Sequence, residues 1–192
     1  MVLQISFKLT KKEEKENMNN LRSNRLIKIF FPLILLCLNI STWAQDSTLN
    51  TAENVVKELY DQVTFEAGQS PDWDVVKSLF LDEAVIVLRT SRESTTVFSV
   101  EGFVGDFVSF IERAKVIETG FVENIIRMKP MIFGDIAHIL VLYEASIPSS
   151  KRPPTKGVDS FQLINKNGRW WIVSVTNEIP TKNNPVPSEL QN

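Results

Sequence analysis

The chain has 192 residues, with 21 Lys and Arg against 23 Asp and Glu, one His, one Cys and 43% apolar residues. Residues 1–44 hold seven of the basic and three of the acidic groups, so the remainder carries a net charge of −6. That balance disfavours nucleic acid and anionic membrane surfaces, which call for a basic footprint, and it matches the solubilising charge of an exported protein.

The first elements are addresses rather than structure. Arg22, Arg25 and Lys28 precede an apolar run from Ile29 to Ile40, and Thr42 and Ala44 take the −3 and −1 positions of a cleavage site. Twelve helical residues reach about 18 Å, short of the roughly 30 Å bilayer core. Residues 1–44 are therefore expected to be a signal region cleaved near Ala44, with no permanent membrane anchor. "KKEEKE" lies upstream of that pattern, which suggests a true start at Met18. Cys37 follows Leu36, whereas a lipoprotein cysteine follows a small residue, so lipid anchoring is the alternative to a periplasmic or secreted product. The rest of the chain lacks cysteine and hence disulfide or thiolate chemistry.

Residues 45–178 read as one domain. Leu49, Ala52, Val55, Val56, Leu59 and Val63 form a helical stripe, with Asn50 and Glu53 as a capping box. Gly68 ends this helix, and Ser70 with Pro71 opens a short second one whose inner face is Trp73, Val76, Leu79 and Phe80. In "DWD" the acids supply first-turn charge. "EAVIVLRT" is a short strand, and "SRESTTVFS" is a polar stretch that can pair in part. A third helix starts at the cap Ser99, with Val100, Phe103, Phe107, Phe110, Ile111 and Ala114 at helical spacing.

The remainder reads as four strands. "GFVENIIRMKPMIF" carries Pro130, which predicts an edge or a bulge. "IAHILVLYEASI" is apolar in both phases, as a central strand covered twice would be. "KGVDSFQLIN" and "RWWIVSVT" flank Asn167-Gly168, a strong hairpin signal. Trp170 and Trp171 must then point to opposite faces. Residues 179–192, with three prolines, read as a flexible tail. Helices ahead of a strand meander mean α+β: a strongly bent antiparallel sheet wrapped as a cone around three N-terminal helices.

"FVENIIRMKPMIFGDIAHILVLYEA" followed by "KGVDSFQLINKNGRWWIVSVTNE", set in this order of elements, resembles the nuclear transport factor 2-like (NTF2-like) superfamily, with its SnoaL-like and ketosteroid isomerase-like members. The likeness spans about residues 48–178. Those two stretches also resemble a bacterial subgroup, from which the chain departs at Thr176 and Asn177, where an aromatic residue is expected. The resemblance implies a hollow cone, a scaffold that hosts enzymes, binding modules and assembly domains alike. Members pair sheet to sheet, which implies a homodimer with the outward tryptophan at its face. Catalytic members use carboxylate, tyrosine or histidine groups inside the cone, but none of their motifs maps residue by residue here.

The candidate pocket residues are Tyr60, Glu123, Arg127, Tyr143, Ser160, Gln162 and Trp170. Polar groups among apolar neighbours are the usual form of a small-molecule site. Glu123 and Arg127, four apart, would share one strand face, about 13 Å apart. Asp159 and Glu144 face inward only if their strands run in the opposite phase. His138 reads as a packed or interface histidine, with a general base as the alternative, and a lone histidine without a ligand cluster argues against zinc. The expected function is exported binding of a small, partly apolar molecule, with no cofactor or metal. The alternatives are a cofactor-free isomerase, dehydratase or hydrolase, and a protein–protein module with a filled cone.

Overall fold

The structure is a computed structural model that describes residues 49–89 and 93–191. The signal-like segment, Ala44 and Cys37 lie outside the described residues. Within them no helix is long and apolar enough to cross a membrane.

Helix α1 (Ala52–Val63) is capped by the hydroxyl of Thr51, which accepts from the Asn54 amide at 3.2 Å, so the cap is Thr51 and not Asn50. Its predicted stripe is the buried face: Ala52, Val55, Val56, Leu59 and Val63 are all buried, and so is Tyr60 beside them. Helix α2 (Trp73–Ser78) is capped by Asp72, whose carboxylate accepts from the Asp74 and Val75 amides. The acidic side chain caps here in place of Ser70, satisfying two orphan donors where the helix dipole favours negative charge. Phe80, expected on this helix, instead opens strand β1 (Phe80–Arg89). Strand β2 (Thr95–Phe98) is the part of the polar stretch that pairs. Helix α3 (Val100–Ala114) starts at Ser99, as expected, and ends at Lys115 in the left-handed region.

Strands β3 (Val122–Phe133), β4 (Ile136–Ser146), β5 (Thr155–Lys166) and β6 (Arg169–Glu178) form the antiparallel meander. The β5–β6 turn is Asn167-Gly168, both at positive φ. The six strands form one sheet in the order β2-β1-β6-β5-β4-β3. The sheet is mixed rather than wholly antiparallel, because β1 runs parallel to β6, aligning Ile86 with Val175. The helices cover one face, where a single cluster runs from α1 and α2 through Ile86, Ile139, Val141, Phe161, Leu163 and Ile172.

Within the meander, two irregularities set which side chains look inward. In β3 the register jumps between Ile125 and Arg127, leaving Ile126 as an extra residue. In β6, Gln162 pairs with Ser174 while Leu163 pairs with Ile172, leaving Val173 extra. A bulge of one residue inverts the facing of everything beyond it. Trp170 is inward and buried. Trp171 pairs with Ile164 on the outer face, and the Arg169 guanidinium lies 4.0 Å from its ring centroid. The tail does not simply trail away: a 3-10 turn at Ser188–Leu190 packs against β3 and β4, and Leu190 is 1% exposed.

Candidate functional site

A cavity of about 120 Å³ lies between the helices and the sheet. Helix α1 contributes Leu59, Tyr60 and Val63, and β1 contributes Phe80, Ile86 and Leu88. From α3 come Phe103 and Phe107, with Phe161 and Val175 below. Phe107 is held by Trp73, Phe110 and Phe121, with ring centroids 5.5 to 5.8 Å away. A hollow remains beside these aromatic contacts.

The polar groups on this wall are Tyr60, Glu123 and Asp159. Each is placed by a different element. Tyr60 rides on α1 and donates its hydroxyl to Asp159 Oδ2 at 2.6 Å. Asp159 lies on β5 opposite Val141 and Asn177. The Asn177 amide donates to Asp159 Oδ1 at 2.7 Å and to the Tyr143 hydroxyl at 2.9 Å. Tyr143 fits because its cross-strand partner is Gly157: a Cβ there would stand 2.2 Å from the phenol oxygen.

Glu123 is fixed through its backbone. Thr64, just past α1, accepts from the Glu123 amide at 3.0 Å and donates to its carbonyl at 3.1 Å. Next to this clamp, Phe65 and Phe121 exchange two backbone hydrogen bonds of 2.9 Å. Gly120 makes this approach feasible, with φ of 83° and a Cβ position only 2.7 Å from the Phe65 carbonyl. The Glu123 carboxyl itself makes no hydrogen bond or ion pair among the described residues.

Two carboxyl groups in an apolar hollow are costly to ionise. Burial, reinforced by the Asp159 charge, pushes Glu123 up to about 8. Burial pushes Asp159 up to about 6, against the opposing pull of the hydrogen bonds from Tyr60 and Asn177. Burial and then the Asp159 charge raise Tyr60 and Tyr143 well above the ordinary phenol range. The cavity thus offers one acid that is mostly protonated at neutral pH and one that is mostly ionised.

Of the sequence candidates, Tyr60 and Glu123 line the cavity and Tyr143 stands directly behind it. Trp170 faces inward but belongs to the core packing away from the cavity lining. Arg127 is exposed, because the Ile126 bulge turns it to the face opposite Glu123. Ser160 and Gln162 point outward: β5 buries Phe161 and Leu163, and that phase brings Asp159 in instead. Gln162 contacts His138 Nδ1 at 2.6 Å on this outer face, so His138 is remote from the cavity. Asp159, admitted by the sequence only for the opposite strand phase, and Asn177 complete this polar cluster from outside the candidate set. The signal for Asp159 was its shared phase with Phe161 and Leu163, the bulkiest apolar pair of β5.

No family model matches the chain, and no curated protein matches it. Solved structures do. An NTF2-like protein of unknown function from Pseudomonas putida KT2440 superposes with a TM-score of 0.55 over 73% of this chain and 93% of its own, at 9% identity. The fold is the NTF2-like one. A protein of unknown function with a cystatin-like fold from Nostoc punctiforme follows, with a TM-score of 0.52 over 68% and 89% of the two chains at 9% identity. A Novosphingobium aromaticivorans protein, described provisionally as an aromatic ring hydroxylase, gives 0.50 over 67% and 86% at 14% identity. At such identities the NTF2-like likeness speaks for architecture alone, and the chemistry must come from the cavity of this chain.

Proposed function

We propose that this NTF2-like chain is an exported small-molecule-binding protein whose ligand is small and largely apolar, with a polar end. One observation carries the reading: a cavity of about 120 Å³, walled by Phe, Leu, Val and Ile, has its three polar groups on Tyr60, Glu123 and Asp159. Cavities for drug-sized ligands run to roughly 300–1,000 Å³. A hollow of roughly 150 Å³ takes a benzene, so this one suits a ligand of about that size. Native mass spectrometry of protein purified from its own host tests the reading: a retained low-mass ligand lost in a Phe161→Trp variant supports it, and ligand-free protein at every ionisation energy opposes it. Export rests on the basic, apolar and small-residue pattern of residues 22–44, and N-terminal sequencing of secreted protein should begin at Gln45. A homodimer through the outer sheet face is consistent with the exposed Met131, Phe133 and Ile136 there, and light scattering at micromolar concentration decides it.

A second reading, a cofactor-free isomerase, dehydratase or hydrolase, is favoured by the placement of Glu123 beside the hydrogen-bonded Tyr60–Asp159 pair. A group titrating near neutrality is suited to general acid–base work. On that reading turnover follows a bell-shaped pH profile between apparent values near 6 and 8, and Glu123→Gln abolishes it.

A further inference from the structure

We propose that the cavity recognises a small organic cation, a protonated amine with a short apolar body. This deepens the small-molecule reading above and rests on it.

The argument is an inventory of what the wall can offer. Among the described residues no Lys, Arg or His lines the cavity, while two carboxyl groups do. Two of the donors nearby are committed within the wall. The Tyr60 hydroxyl goes to Asp159, and the Asn177 amide goes to Asp159 and Tyr143. A ligand anion would meet two carboxyl groups and no cation among the described residues, whereas an N–H donor finds the Glu123 carboxyl without a partner there. Charge-assisted N–H bonds to carboxylate are about twice as strong as neutral ones.

The apolar wall points the same way. Tyr60, Phe80, Phe103, Phe107 and Phe161 are five of the twelve lining residues. Aromatic faces attract cations, by roughly 2 kcal/mol or more when the site is desolvated. A cage of rings with carboxylates at one end combines both sources of attraction. The groups facing Glu123 are Asp159 from β5, Tyr60 from α1 and Tyr143 from β4, none of them cationic. A bound ammonium would stabilise both ionised carboxylates, so binding releases protons and tightens as pH rises through the Glu123 titration.

The test is calorimetry on the folded chain with three probes of one shape: isobutylammonium, isobutanol and isobutyrate, at pH 6.0 and pH 8.5. The expected result is isobutylammonium binding at least tenfold tighter than isobutanol at pH 8.5, with that preference reduced at pH 6.0. Glu123→Gln should remove the preference for the ammonium over isobutanol. Isobutanol or isobutyrate binding as well as or better than the ammonium overturns the cation proposal and leaves the small-molecule reading standing. Absence of binding by all three, confirmed by an unchanged cavity after crystal soaking, overturns both.

Discussion

Replacing Glu123 by Gln removes a carboxyl that the fold prefers to keep protonated, so the substitution should stabilise the protein, and only above acid pH. Burial and the neighbouring Asp159 raise this group from an ordinary 4.5 to about 8 in the folded state. A raised folded value means that the folded state binds the proton more tightly. The contribution to stability is then full below 4.5 and is lost as pH rises toward 8. At pH 7 the folded chain holds the proton against about two and a half decades of dissociation pressure. At about 1.4 kcal/mol per decade the cost is about 3 kcal/mol. Gln has nearly the same shape and cannot ionise, so Glu123→Gln should gain about 3 kcal/mol at pH 7 and almost nothing at pH 4. Urea denaturation at half-unit steps between pH 4 and 8.5 reads the difference directly. A gain that is the same at every pH, or a loss at pH 7, would refute the reasoning, because it would mean that Glu123 titrates normally or has a cationic partner.

Tyr60→Phe deletes the donor to Asp159, so the aspartate should titrate still higher, visible by carbon-detected NMR, with stability falling by about 1–3 kcal/mol. Gly157→Ala places a methyl 2.2 Å from the Tyr143 hydroxyl. It should cost about 1–3 kcal/mol, and Tyr143→Ala in the same chain should recover part of that loss in a double-mutant cycle. Asn177→Leu leaves Asp159 with one donor instead of two and should raise the Asp159 titration in the same spectra. Leu190→Ala should cost about 2 kcal/mol or more by chemical denaturation, which an unattached tail could not produce.

Which parts were legible follows from what sequence patterns record. The α1 stripe, the Ser99 cap, the Asn167-Gly168 hairpin and the paired facing of Trp170 and Trp171 are local signals, and each reappears in the structure. Facing within the long strands is a non-local property. Glu123 and Arg127 seemed to share a face because their spacing is even, but Ile126 is inserted between them, and nothing in "NIIRM" marks a bulge. On β5, Ser160 and Gln162 looked like pocket groups because they are neutral and polar. The burial of Phe161 and Leu163 decides the phase and brings in the charged Asp159. Hydrophobic bulk set the strand and the carboxylate followed, held by partners 99 and 18 residues away. The parallel β1–β6 pairing was equally hidden, since it depends on where the meander returns.

That parallel pairing shapes how the chain can emerge and mature. Phe80 must wait for Ile172, and Ile86 for Val175, before the first strand has its second neighbour. Through synthesis of nearly everything between, β1 and β2 present open edges and an apolar side without their final partner. Such long-range closure slows folding and leaves aggregation-prone surface uncovered. The late-arriving seam joins the β1–β2 pair to the β3–β5 meander only once the last strand is delivered.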